Sequence, residues 1–135
     1  MLIEAIQLAN ARLRDRPPAR AIRYLRTLAW AVASARRVRR QLRSGGLASV
    51  TVLPAPPGGR GARRGLRDGL RLTGPSCLER SLVRRAWNLR QGVETPIVIG
   101  IRGSGSGETF GAHAWLQGDP PDPGGFAEIL VWPQP

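Results

Sequence analysis

The stretch that decides the fold is Pro75-Ser76-Cys77-Leu78-Glu79-Arg80-Ser81-Leu82. Serine with glutamate at the third position after it is the mark of a capping box. The hydroxyl accepts from the glutamate's backbone N–H, and the carboxylate reaches back to the serine's own N–H. The pattern predicts a helix that begins at Cys77 and runs to about Gln91, with Leu78, Leu82, Ala86 and Leu89 as its buried stripe. Gly92 is its stop. A cysteine in the first turn of a helix lies among unpaired N–H groups at the positive end of the dipole. Those groups favour a thiolate over a thiol, and they can hold an oxyanion as a carbonyl is attacked. Without that placement, a lone cysteine reads as a small, buried and inert side chain.

Downstream, Thr95 to Ile101 reads as a buried strand, Phe110 to Leu116 as a second and Phe126 to Trp132 as a third. The run Gly103-Ser104-Gly105-Ser106-Gly107 is a flexible link between the first two, a hairpin tip or a lid. It is not a phosphate loop, because no Gly-Lys-Ser/Thr follows and no helix begins there. Gly118 to Gly125 is a turn rich in Asp, Pro and Gly. Strand alternation sends His113 and Trp115 to one face and Ala112, Ala114 and Leu116 to the other. By itself His113 is an ordinary core or surface histidine. Beside a helix that begins at Cys77, its imidazole can take the thiol proton, and its other nitrogen then needs an orienting acceptor. Asp119, Asp122 and Glu128 are the acidic residues that follow it. Asp119 sits in the turn and Asp122 near the start of the third strand. Each Asp-Pro pair is also ordinary turn chemistry. Glu79 reads as a cap rather than a catalytic group, and the tryptophans as packing residues.

Upstream, Leu2, Ile6, Ala9 and Leu13 recur at helical spacing over residues 1–14, and Asp15-Arg16-Pro17-Pro18 breaks the pattern. A second helix is expected from Pro18 to about Leu42, with Ala21, Leu25, Leu28, Val32 and Ala35 as its apolar stripe. Its last turns are crowded with Arg36, Arg37, Arg39, Arg40 and Arg43, and Gly45-Gly46 ends it. Residues 47–53 form a short strand or an extended connector, and Pro54 to Gly59 a turn or linker. A short helix over Arg63–Leu70 is weakened by Gly65 and Gly69. Helices first, then helix–strand–strand–strand, is an α+β order with an antiparallel sheet. The expected organisation is one domain over residues 1–135: a helical part over 1–46, a connector over 47–74 and a catalytic core over 75–132.

Composition narrows the function classes. The 135 residues carry 21 basic and 9 acidic side chains, a net charge of +12, and every basic residue is arginine. Such a surface attracts anionic partners, or is simply solvated. Aromatics make up 5% of the chain, and no zinc finger, KH loop or aromatic RNP motif is present, so nucleic acid is not an expected partner. No apolar run approaches the ~18 residues of a membrane span. The start Met1-Leu2-Ile3-Glu4 has no basic region leading into an apolar one, so a cytoplasmic location is expected. One cysteine and one histidine cannot build a Cys/His zinc cage, and neither metal nor cofactor is expected.

Three segments together carry a resemblance: Pro75 to Leu82, Thr95-Pro96-Ile97-Val98-Ile99-Gly100-Ile101, and Phe110-Gly111-Ala112-His113-Ala114-Trp115-Leu116. They resemble the transglutaminase-like cysteine proteases of lasso-peptide biosynthesis, the leader-peptidase part of the B protein, over residues 70–132. The resemblance implies a papain-like design: N-terminal helices, a catalytic helix starting at the cysteine, and a small antiparallel sheet carrying histidine and aspartate. It implies Cys77 as nucleophile and His113 as general base. The family's aspartate lies beyond a hairpin turn that is shorter here, which makes Asp122 the nearest counterpart and Asp119 the runner-up. Gln117 stands where the family usually has glutamate.

The implied substrate is a ribosomally made precursor peptide whose N-terminal leader is removed, after which a separate ATP-dependent cyclase closes a macrolactam. The chain is too short for a fused leader-binding domain, so a separate leader-recognition protein is expected. Two other classes stay open: a different acyl transfer on the same fold, as in a transglutaminase or amidase, and a non-enzymatic basic module that binds nucleic acid.

Overall fold

Pro17 and Pro18 open a 29-residue helix, α1 (Pro17–Gly45), where the missing proline N–H groups cost nothing. The computed structural model that shows this describes Ile3, Gln7 and residues 17–103, 111–120 and 125–133. The helix expected over residues 1–14 lies outside the described residues, apart from Ile3 and Gln7, which are helical. Most of the glycine–serine loop and Asp122 also lie outside them.

The buried side chains of α1 are Thr27, Ala31, Ser34, Ala35 and Val38. Of the expected stripe, Ala35 is buried, Leu28 and Val32 are half-buried, and Ala21 and Leu25 are exposed. The reason is the partner. A second helix, α2 (Ala62–Thr73), lies against α1 through Gly65 and Gly69. A Cβ on Gly65 would stand 2.4 Å from the Tyr24 carbonyl oxygen, and one on Gly69 2.8 Å from the Ala31 Cβ. The two glycines that weaken an isolated helix let two backbones touch here, so small residues line the seam. α2 ends at Thr73, one turn beyond Gly69.

Residues 47–53 form no strand. Leu47–Ser49 is one 3₁₀ turn, and the chain is irregular from there to the turn at Gly59. Side chains of α1 hold this connector. Trp30 donates to the Leu53 carbonyl, Arg37 to the Thr51 carbonyl, and the Gln41 side-chain oxygen accepts from the Thr51 N–H.

The third helix, α3 (Cys77–Arg90), begins where the capping box predicts. Gly92, at φ 81°, turns the chain left-handed. Its N–H bonds the Leu89 carbonyl, and the Val93 N–H bonds that of Asn88. These are the two bonds of a Schellman stop. The buried face is Glu79, Ser81, Leu82, Val83 and Trp87, while Leu89 of the expected stripe is exposed. The face is rotated because α3 is covered from two sides, by α1 and by the sheet.

The sheet holds β1 (Ile97–Arg102), β2 (Gly111–Leu116) and β3 (Ala127–Trp132), antiparallel and in the order β2-β1-β3. The chain leaves β2 and crosses to the far edge of β1, so the turn after β2 does not close a hairpin between neighbouring strands. Gly100 pairs with His113 on one side and with Glu128 on the other; a bulge beside Ile99 leaves Ile129 out of register. Ile97, Ile99, Ala114 and Leu116 face the core. Their alternates Val98, Gly100, His113 and Trp115 face away from it. One core joins the parts, with Ala35 and Val38 of α1, Leu66 and Leu70 of α2, Leu82 and Val83 of α3, and Ile97 and Leu116 of the sheet.

Candidate active site

The site is built around the start of α3. Ser76, in extended conformation, accepts from the Glu79 N–H at 3.2 Å, and the Glu79 carboxylate accepts from the Ser76 N–H at 3.1 Å. The Arg80 N–H bonds the Ser76 carbonyl. Among the described residues, this leaves the N–H groups of Cys77 and Leu78 as the unclaimed donors of the first turn. Cys77 itself is half-buried and packs at the edge of the core.

Arg39 of α1 locks this corner. Its guanidinium donates to both Glu79 oxygens at 3.1–3.2 Å, and to the carbonyls of Thr73 and Gly74. One side chain therefore ties the end of α2 to the cap of α3. The carboxylate hydrogen bond holds the Arg39 pKa above its ordinary value. Nothing in the sequence marks Arg39 among its arginine neighbours, because the residues it joins lie far along the chain.

The helix rests on β2. Ser81, one turn (~5.4 Å) beyond Cys77, donates its hydroxyl to the Ala114 carbonyl at 3.3 Å. Ala114 is the chain neighbour of His113. Cys77 and His113 thus stand on adjoining elements, but on different faces: the thiol packs at the edge of the core, and the imidazole projects from the opposite face of β2. The His113 ring stacks with Trp115 at 5.6 Å and is tilted against Phe126 at 5.2 Å. Arg102 covers Phe126, 5.3 Å from its centroid. Gly100 makes room for Trp115: a Cβ there would stand 2.6 Å from the indole ring.

A groove of about 740 Å³ opens on this face, lined by His113, Trp115, Phe126, Arg84, Asp119 and Glu128 among others. Cys77 is not in its lining. Glu128 reaches it because the bulge in β3 sets that residue, and not Ile129, opposite Gly100. His113, Gly100 and Glu128 therefore form one row across the three strands. No local pattern in the sequence announces that row, since it depends on a crossover and a bulge.

Asp119 has its oxygens engaged. Arg84 donates to both, at 2.8 and 2.9 Å, and the Leu116 N–H donates at 3.1 Å. The Arg84 hydrogen bonds, helped by the Leu116 N–H, hold its carboxyl below the usual carboxylate range against the opposing effect of burial. Arg84 follows Cys77 by two helical turns, and that spacing was the available clue to its place. Asp122 lies outside the described residues.

Among the described residues, no group of three His, Cys, Asp or Glu side chains is placed to hold a metal ion, and no helix is long and apolar enough to cross a membrane. The arrangement offers a thiol at a helix start with open N–H donors, and an imidazole on the far face of the strand that the helix packs against. Those are the parts of cysteine-based acyl transfer.

Comparison with known families gives the same direction. The model of the Transglutaminase-like superfamily matches residues 60–128, which takes in α2, α3 and the sheet as far as Glu128. Comparison with curated proteins and with solved structures gave no match. Members of the superfamily are typically cysteine hydrolases or acyltransferases. With a matched span of just over half the chain, and helices packed on a three-stranded antiparallel sheet, this α+β protein belongs to the Transglutaminase-like superfamily.

Proposed function

We propose that the protein is a cysteine peptidase that removes the N-terminal leader from a lasso-peptide precursor. Cys77 is the nucleophile, His113 the general base, and Asp122 the carboxylate that orients the imidazole. The observation that carries this reading is the start of α3, where the capping box leaves the Cys77 and Leu78 N–H groups open around the thiol; the same helix packs on β2, the strand of His113, through Ser81. Superfamily membership supports the chemistry. The motif resemblance supports the substrate. Asp122 is preferred to Asp119 because Arg84 and the Leu116 N–H already hold the Asp119 oxygens.

The reaction follows from these parts. His113 takes the thiol proton, and the Cys77 sulfur adds to the carbonyl carbon at the leader–core junction. The Cys77 and Leu78 N–H groups bind the oxyanion that forms. The carbon–nitrogen bond then breaks, and His113 gives its proton to the leaving amine, which becomes the N-terminus of the core peptide. Water, deprotonated by His113, attacks the thioester. The carbon–sulfur bond breaks, the leader leaves as a carboxylic acid, and the thiol is restored. A separate leader-recognition protein delivers the precursor, and a separate cyclase uses the freed amine, all in the cytoplasm.

The test is cleavage followed by mass spectrometry, with the precursor, the recognition protein, and Cys77→Ala and His113→Ala alongside the wild type. A single cut at the leader–core junction is expected. Each variant should lose at least ~10³-fold in rate, the scale seen when a catalytic nucleophile or base is removed. Cutting that persists in Cys77→Ala overturns the mechanism. Transfer of the acyl group to an added amine, in place of hydrolysis, would make the protein a transglutaminase.

A further inference from the structure

Two rows of arginine face each other across a second groove, of about 400 Å³, between α2 and α3. Arg63, Arg67 and Arg71 stand at successive turns of α2, and Arg80 and Arg84 at successive turns of α3. Leu66 and Leu70 form the floor. Few carboxylates oppose this charge. Asp68 is drawn to the other side, where the Tyr24 hydroxyl donates to it at 2.8 Å, and only its 3.6 Å approach to Arg67 touches the groove. Asp119 is paired with Arg84. Among the described residues, Arg71 and Arg80 have no carboxylate partner, and both are exposed.

We propose that this groove is an exosite for an acidic, amphipathic peptide segment. The arginine rows call for carboxylates, and the leucine floor calls for apolar side chains between them. The α2 row spans ~12 Å at 1.5 Å per residue, which matches about four residues of extended chain. A nucleic acid fits less well, since the lining holds no aromatic ring on which a base would stack. Arg84 lines both this groove and the one beside His113, so the two lie next to each other. A segment seated between α2 and α3 leads its chain past the Arg84–Asp119 pair toward the imidazole. That the segment belongs to the substrate rests on the peptidase reading; the binding itself does not.

Fluorescence anisotropy tests it, using a short labelled peptide of glutamates interspersed with leucines. The same peptide with serine for each leucine, and a single-stranded oligonucleotide of equal charge, serve as comparison probes. Arg71→Glu combined with Arg80→Glu should weaken the leucine peptide by at least ~10-fold, as charge reversal at a complementary interface does. Arg40→Glu combined with Arg43→Glu makes the same charge change at exposed positions outside the groove, and should cost no more than ~3-fold. The serine peptide should bind ~10-fold more weakly, having no apolar groups for the floor. Equal weakening by both pairs would reduce the effect to net charge and overturn the proposal. So would an oligonucleotide or serine peptide that binds as tightly as the leucine peptide. Precursor cleavage unaffected by the groove variants, together with absent peptide binding, would overturn the exosite and leave the peptidase standing. Groove binding without any hydrolysis would do the reverse.

Discussion

The two helix contacts that hold this domain together are made of opposite materials. α1 and α2 meet backbone to backbone where Gly65 and Gly69 lie against Thr27, Leu28 and Ala31, with the Tyr24–Asp68 hydrogen bond at their flank. α3 meets the rest through side chains: Leu82 and Val83 in the core, Ser81 on the Ala114 carbonyl, and Glu79 under Arg39. The first contact gains close packing and has no room for change. The second has its hydrogen bonds arranged so that two donors beside Cys77 stay open. Close backbone packing is concentrated in the first seam, and the open backbone donors at Cys77 and Leu78 in the second.

The largest effect on stability should come from widening the first seam. Gly65→Val puts a branched side chain where even a Cβ would stand 2.4 Å from the Tyr24 carbonyl oxygen. The helices must separate, at a cost of about 3 kcal/mol, the upper part of the usual overpacking range. A urea midpoint that falls with an unchanged slope would show it. Gly92→Ala is the comparison: no neighbour lies within 4 Å, but φ is +81°. It should cost about 1–2 kcal/mol, for the left-handed backbone alone. If Gly65→Val proves no more harmful than Gly92→Ala, the seam is not the close-packed element described here.

The same contrast decides what could be read from the sequence. The start of α3 was legible because a capping box is local, and so was its glycine stop. The strands were legible from runs such as Ile97-Val98-Ile99, and the two faces of β2 from simple alternation. The stripe of α1 is not legible because hydrophobicity directs attention to Leu25, while the glycine partner selects Thr27 and Ala31. The full length of α2 is hidden for the same reason: Gly65 and Gly69 lower helix propensity, and only the tertiary contact offsets it. The pairing of β3 with β1, the row His113–Gly100–Glu128 and the Arg39 clamp join residues far apart in sequence. No local pattern encodes such contacts.

A middling effect belongs to the cap. Ser76→Ala removes the acceptor for the Glu79 N–H and should cost ~1 kcal/mol of stability. The neighbouring change Cys77→Ala should shift stability by no more than ~0.5 kcal/mol, as expected where no cap or filled cavity is lost. Adjacent positions would then separate holding the helix from doing chemistry. Thermal melts of the two variants read this directly. A Cys77→Ala protein destabilised more than Ser76→Ala would mean that the thiol is mainly a packing group.

The smallest effect, and the most discriminating for the site, is the pH dependence of Asp119→Asn. Arg84, with the Leu116 N–H, lowers the folded pKa of Asp119 below its unfolded value. A depressed carboxyl contributes stability that is fully present above the unfolded value, ~3.9, and is lost as pH falls through the lower folded value. The wild type should therefore exceed Asp119→Asn at pH 7 by no more than about 1 kcal/mol, because the partly exposed pair is screened by solvent. The gap should close in acid once Asp119 is protonated. A gap that stays constant with pH would show that charge is not what the pair supplies. Activity measured on the same variant separates the two aspartates. If Asp119 serves Arg84 and the turn after β2, Asp119→Asn keeps most of the wild-type rate while Asp122→Asn does not. A collapse of Asp119→Asn to the level of His113→Ala would transfer the orienting role to Asp119, and make the Arg84 pair a support of the catalytic carboxylate.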